Sequence, residues 1–271
     1  MTRLGSALDI LAIETATAEY VCARVAALLS LAGNPHQAGM RRHGPLQGLL
    51  VRATASPMVN RIVGDPREAP DALTELLEWF AAHRCTAAIP LTIPNRRPAA
   101  TEMVGPHELR RLNGWTHLQL ACPLDSAPLP VPAVKVEEVT AGSVDVFAAI
   151  HAEAFNTPPE GRPVNRASFA GLLSGSSAKG FIARTDGKPL AAALVYFAEN
   201  GVAYLGTAAT RREARGRGCH SALIAARIAT ARDHGSQFVA ATATPNSQSR
   251  RNLERFGLTA SHMQTLYRAT R

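Results

Sequence analysis

Arginine and glycine alternate at Arg215-Gly216-Arg217-Gly218. The turn follows a short apolar run at 202–205 and precedes a segment of helical periodicity. In that segment Ala222, Leu223, Ala226, Arg227 and Ala231 recur at helical spacing and Gly235 supplies the stop. Strand, glycine turn and helix together make an anion site. The first turn of a helix leaves N–H groups unpaired, and glycine lets that backbone come close to a phosphate. Two familiar phosphate patterns do not fit. A dinucleotide fingerprint needs a third glycine after Gly216 and Gly218, and a Walker loop needs a lysine that is absent from this turn.

A third pattern fits. Arg215-Gly216-Arg217-Gly218-Cys219-His220 resembles the Arg/Gln-x-x-Gly-x-Gly/Ala signature of the GNAT superfamily of N-acetyltransferases, with His220 standing where the family has Gly or Ala. Downstream, an apolar run at 238–244 leads into Pro245-Asn246-Ser247-Gln248-Ser249-Arg250-Arg251-Asn252-Leu253-Glu254-Arg255-Phe256-Gly257-Leu258. Here Asn246, Ser249, Asn252, Leu253, Gly257 and Leu258 fall in register on the family's second signature. The resemblance implies acetyl-CoA as acetyl donor. Its pyrophosphate would lie on Arg215, Gly216, Arg217, Gly218, Cys219, His220 and Ser221, and its pantetheine and adenosine on Asn246, Ser249 and Asn252. It also implies a splayed strand at Ala208, Ala209 and Thr210 that pairs with the pantetheine and offers an oxyanion N–H. Many members carry a tyrosine at the position of Leu253, where it protonates the leaving thiolate; leucine cannot.

Candidate catalytic hydroxyls are Ser249, one turn before Leu253, and Tyr204 on the strand that enters the cleft. The reading of Ser249 as a helix cap stays open beside it. A base is harder to name: His151, Glu153, Glu160 and Glu199 lie near loops, each also readable as a solvated surface residue. Cys219 reads either as a nucleophile or as a small packing residue at a helix start.

The elements that must position these groups follow from periodicity. Residues 6–32 read as an amphipathic helix with Ile10, Ile13, Thr17, Tyr20, Val21, Val25, Leu28 and Leu29 on one face. Strand character at 45–64, a helix at 70–83, a strand at 87–93, a helix at 107–112 and a strand at 116–122 follow. Prolines 123, 128, 130 and 132 mark a linker over 123–133. A strand at 134–139, helices to about 155 and over 165–174, and strands at 180–185, 190–198 and 202–210 come next. The turns Asp186-Gly187 and Asn200-Gly201 join those strands as hairpins. The expected fold is therefore α/β (α+β), a mixed, mostly antiparallel GNAT-like sheet flanked by helices. Residues 1–122 would form an N-terminal domain and 134–271 the acetyltransferase domain. The order of elements in 1–122 echoes the later half, so that domain reads as a degenerate copy of the same fold; an unrelated α/β domain is the alternative.

Composition narrows the function classes. A chain of 271 residues, 46% hydrophobic and 18% charged, has the balance of a globular protein with a sizeable core. The net charge of +8 is compatible with nucleic acid, but zinc-finger spacing and RNP-like aromatics are missing, and an anionic cofactor explains the arginines more economically. The cysteines Cys22, Cys85, Cys122 and Cys219 are too far apart for a metal cluster or a disulfide framework. No apolar run reaches the roughly 20 residues of a membrane span. The expectation is a cytoplasmic, bacterial N-acetyltransferase acting on the amine of a small molecule or amino-acid-like substrate. It would bind no metal, nucleic acid or membrane. A catalytically decayed CoA-binding regulatory protein is the alternative.

Overall fold

The structure, a computed structural model, describes residues 7–94, 97–128 and 134–270. The opening helix α1 (Ala7–Leu29) buries Ile13, Thr17, Tyr20, Val21, Val25 and Leu28, as its periodicity predicts, and leaves Leu29 outside. An antiparallel hairpin follows, β1 (Ala38–His43) and β2 (Leu46–Val51), and β3 (Arg61–Val63) completes a three-stranded sheet. Helix α2 (Pro70–Ala82) then leads to β4 (Ile89–Ile93), β5 (Thr101–Val104) and the long strand β6 (His107–Pro123). The later half runs β7 (Lys135–Glu138), α3 (Val144–Ala154), α4 (Gly161–Leu173), β8 (Ala178–Thr185) and β9 (Lys188–Phe197). It continues through β10 (Val202–Leu205), β11 (Ala209–Thr210), α5 (Cys219–Asp233), β12 (Phe238–Ala243), α6 (Gln248–Arg255) and β13 (Thr259–Ala269).

The main sheet has ten strands in the order β4-β13-β6-β12-β10-β9-β8-β7, with β5 added on β6 and β11 on β9. All its pairings are antiparallel except β10 with β12. That mixed, mostly antiparallel sheet is the expected fold class. The two halves exchange strands. β6 of the first half sits between β12 and β13 of the second, and β13 sits between β4 and β6 of the first. Around this seam the halves share an order of connection: β3 leads through α2 to a parallel neighbour at Ala88, and β10 leads through α5 to parallel β12. Helices α1, α3 and α4 pack on one face, sharing a core of Ile13, Tyr20, Phe147, Phe169 and Leu194. Helices α5 and α6 pack on the other with Leu223, Ile228, Val195 and Leu253.

Three expectations need correction. Residues 107–112 are not helical; they open β6, where Leu109 is buried between Glu102 of β5 and Ala269 of β13. Pairing on two sides overrides the helix propensity of His-Glu-Leu-Arg-Arg-Leu, and Leu112 to Trp115 fall in a register break of that strand, with Gly114 at φ +78°. The strand expected over 202–210 is broken at 206–208. The linker expected over 123–133 begins inside structure, since Pro123 pairs with Phe238; its residues 129–133 lie outside the described residues. The hairpin at Asp186-Gly187 is as expected: both residues are left-handed, at φ +52° and +73°, the two-residue turn that matches strand twist.

Candidate active site

The break after β10 organises the site. β10 and β12 run in parallel register as far as Leu205 opposite Ala241. Beyond that, residues 206–208 turn away and β11 pairs with Ala191 and Ala192 of β9. The two strands splay, and Thr207 takes a left-handed φ of +47°, unusual for a β-branched residue. Arg227 of α5 supports the bend from below. Its guanidinium is 1% exposed and donates to the carbonyls of Leu223 (2.9 Å), Leu194 (3.3 Å) and Gly206 (3.4 Å). Burial lowers its pKa to about 9. From above, the hydroxyls of Tyr20 and Thr207 are hydrogen-bonded, tying α1 to the bend.

A cavity of about 690 Å³ passes through this splay. On the α5–α6 side its wall includes Ala208, His220, Thr244, Ser249 and Leu253. On the other side it reaches Arg24 of α1, Arg61 of β3, Trp115 and His117 of β6, and Phe155 and Glu160 beside α4. Of the candidates for the cofactor, Ala208, His220 and Ser249 thus reach the cavity wall. Ala209 and Thr210 form β11. Arg215, Gly216, Arg217 and Gly218 make the exposed turn before α5, with Arg217 paired to Asp186 at 3.2 Å. Gly218 is the N-cap, at φ +80°. Cys219 is buried against Thr185, so only its backbone N–H faces the helix head; its thiol packs. Ser221 is half-buried in the first turn and Asn246 is exposed before α6.

His220 does not turn outward. Its Nδ1 accepts from Asn252 Nδ2 at 2.9 Å, joining α5 to α6. Asn252 Oδ1 in turn accepts from Gln248 (2.8 Å) and Arg255 (3.2 Å), which fixes the amide and leaves the imidazole proton on Nε2. Burial, with Arg227 nearby, pushes His220 down to about 4, so the ring is neutral. Ser249 is not the helix cap: Ser247 is, accepting from Arg250 N at 3.1 Å. Leu253, 3% exposed, lines the cavity without a proton to give.

Tyr204 reaches the cavity wall, but its hydroxyl is bonded to Thr242 (2.7 Å), which donates to Gln119 (2.7 Å). Burial pushes it up to about 12. It is a packed, neutral phenol. Among the basic candidates, Glu153 is paired with Arg211 at 3.0 Å. Glu199 sits at the far end of β9 with its N–H on Glu19. His151 lines the cavity between Phe155 and Phe169, pushed by burial and by Arg24 down to about 3. Glu160 is the carboxylate on the cavity wall among the described residues. Sequence reasoning missed Arg24, Arg61 and His117. Arg24 was within reach, four residues after Tyr20 on the inward face of α1.

The turn and splay fit a CoA-type cofactor. A Cβ built on Gly216 would meet nothing within 4 Å, and one on Gly218 would meet only Val134 at 3.7 Å, so an anion has open approach to the head of α5. The corresponding turn before α2 is closed. Asp65 accepts from Arg67 N at 3.0 Å and pairs with the Arg67 side chain, so a carboxylate of the chain caps the 3₁₀ turn 66–68 that leads into α2. Among the described residues no cluster of His, Cys, Asp or Glu could hold a metal, and no helix is long and apolar enough to cross a membrane.

Residues 145–258 match the family described as Acetyltransferase (GNAT) family. Solved structures share the fold across nearly the whole chain. A GCN5-related N-acetyltransferase from Kribbella flavida aligns with a TM-score of 0.62 at 19% identity, covering 94% of this chain and 96% of that one. A tandem GNAT protein from the clavulanic acid biosynthesis pathway gives 0.59 at 17% identity, over 91% and 87%. A GCN5-related N-acetyltransferase from Sphaerobacter thermophilus gives 0.55 at 15%, over 94% and 91%. At these identities the likeness carries the fold. No curated protein matches the sequence.

Proposed function

We propose, from the premise that residues 145–258 are an acetyltransferase domain of the GNAT family, that this protein is an acetyl-CoA-dependent N-acetyltransferase of a small amine. The observation that carries this reading is the splay of β10 from β12 at the head of α5, with a cavity running through it. Bound acetyl-CoA would supply the thioester carbonyl that the amine attacks. The first-turn N–H groups of α5, behind Gly218, would hold the pyrophosphate, with the dipole of a fifteen-residue helix favouring its charge. The bend at 206–208 would direct a backbone N–H near Ala208 at the developing oxyanion. Arg227 and Tyr20 make that bend rigid from both sides.

The attacking amine must lose a proton. Glu160 would take it, directly or through water, being the carboxylate on the wall among the described residues. The thiolate must leave without a tyrosine. A thiol pKa near that of cysteine, about 8.5, makes it a tolerable leaving group unaided. Ser249 or the Nε2 proton of His220 would give it a hydrogen bond, since both line the cavity on the α6 side. A second reading, a CoA-binding protein without turnover, is favoured by Leu253 and by the pairing of Glu153 with Arg211. Thiol release from saturating acetyl-CoA across amine classes separates the two. Release with any amine supports the transferase; calorimetric binding with no release on any amine leaves the second reading.

A further inference from the structure

Three arginines are buried in the wall of one cavity: Arg24 at 2% exposure, Arg61 at 4% and Arg227 at 1%. Among the described residues none of them is paired with a carboxylate. A buried cation without a counter-charge is costly unless something else supplies one. Arg227 is accounted for by the three carbonyls it holds. Arg24 and Arg61 are not.

Arg24 donates through Nε to Ser168 (3.1 Å) and through Nη2 to Asn165 (2.8 Å), and lies over the Phe169 ring at 4.5 Å. Arg61 donates through Nε to the Pro57 carbonyl (2.9 Å) and through Nη2 to the Met58 sulfur (3.3 Å). Neutral groups thus fix both guanidiniums, and each keeps Nη1 without a partner among the described residues. The two charges oppose one another: burial first, then Tyr204 and Arg24 among the surrounding charges, sets Arg61, and the net effect lowers it to about 10. The carboxylate whose field reaches Arg61 is Glu14, and it is committed to His262 Nε2 (2.5 Å) and Gln264 Nε2 (2.5 Å). Of the other titratable groups near the pair, Tyr204, Cys22, His117 and His151 bring no negative charge, burial pushing the Cys22 thiol up to about 11. Tyr204 is held near 12, and burial lowers both histidines.

The pair lies with α1 and α4, on the face of the sheet opposite α5, so it is separate from the turn that would hold the cofactor's phosphates. The same cavity wall carries Trp115, Phe155 and Leu266, an apolar set of side chains. We propose that the acceptor is an amine that carries a carboxylate, and that Arg24 and Arg61 bind this carboxylate through their free Nη1 groups. The apolar set then takes the carbon chain between carboxylate and amine, with the amine directed to the splay at Ala208. One donor from each guanidinium matches the two oxygens of a carboxylate.

This deepens the transferase reading and rests on it. The test is thiol release at saturating acetyl-CoA with α- and ω-amino acids, each beside its own carboxamide, and with amino-alkyl phosphates. The amino acids should exceed their carboxamides by at least about 10²-fold in kcat/KM, because the carboxamide leaves a buried cation unpaired. In Arg61→Gln that ratio should fall to within about tenfold through a rise in the amino acid's KM, and Arg61→Lys should restore part of it. Calorimetry should show unchanged acetyl-CoA affinity in both variants. If Arg61→Gln fails to fold, Arg24→Gln carries the same prediction. Carboxamides or phosphates used as well as the acids would overturn the proposal while the transferase reading stood, as would an unchanged ratio in the folded variants. No release with any amine, despite binding, would sink the transferase reading and this proposal with it.

Discussion

Acid should unfold this protein through two histidines of the site. His151 and His220 are held neutral by burial, with folded values of about 3 and about 4 against 6.5 in a free chain. Their folded values are depressed, so the unfolded chain binds the extra protons. Stability is complete above about pH 6.5 and falls as the pH drops towards the folded values. At about pH 5 each histidine costs about 1.4 kcal/mol per pH unit over about 1.5 units, roughly 2 kcal/mol, and about 4 kcal/mol for the pair. A domain of ordinary stability has about 5–15 kcal/mol to lose. The discriminating variant is His151→Phe. The His151 ring lies 4.7 Å from Phe155 and 4.9 Å from Phe169, and its buried Nδ1 has no hydrogen-bond partner, so an apolar ring forfeits no bond there. Urea unfolding at about pH 7.5 should find the variant within roughly 1 kcal/mol of wild type. At about pH 5 the variant should have lost about 2 kcal/mol less than wild type. Equal losses in the two proteins would refute the assignment of a neutral, buried His151.

Four further outcomes are expected. Gly218→Asp places a carboxylate at the head of α5, where it repels a pyrophosphate; calorimetry should show acetyl-CoA affinity reduced at least about tenfold. Titration should find one acetyl-CoA per chain, because the turn that leads into α2 carries its own carboxylate, Asp65, bonded to Arg67; two equivalent sites would contradict this. Glu160→Gln should lower kcat by about 10²–10⁴-fold in thiol-release assays while leaving acetyl-CoA affinity unchanged. Ser249→Ala should lower kcat more than twofold and Leu253→Tyr should raise it; a Ser249→Ala rate within twofold of wild type would mean that the thiolate leaves without help from that hydroxyl.

What the sequence discloses is local. The turn at Arg215 to Gly218, the helix it opens and the hairpin at Asp186-Gly187 are each written in a few adjacent residues, and the structure has them where expected. What it hides is non-local. Strand β1, with Arg41, Arg42 and His43 in its six residues, lacks an apolar pattern and exists because it pairs with β2. The helix expected at 107–112 yields to pairing with β5 and with β13, about 160 residues away. The acceptor side of the cavity is assembled from α1, β3, β6 and the α3–α4 connection, and the bond from Tyr20 to Thr207 spans 187 positions. Arg61 lies in a strand of three residues, too short for any periodicity to mark it as inward.

The crossing of β6 and β13 bears on how the chain comes to be folded at all. The eleven-residue strand β13 supplies the neighbour of β4, so the N-terminal half stays open at that edge until residues 259–269 have been made. Seen from the ribosome, the protein cannot mature one half at a time; β4 and β6 must wait, unpaired on that side, for β13. Cutting the gene between the halves would give two pieces with bare strand edges, each insoluble alone and each the other's missing part. Co-expressed, they would rejoin as a noncovalent pair.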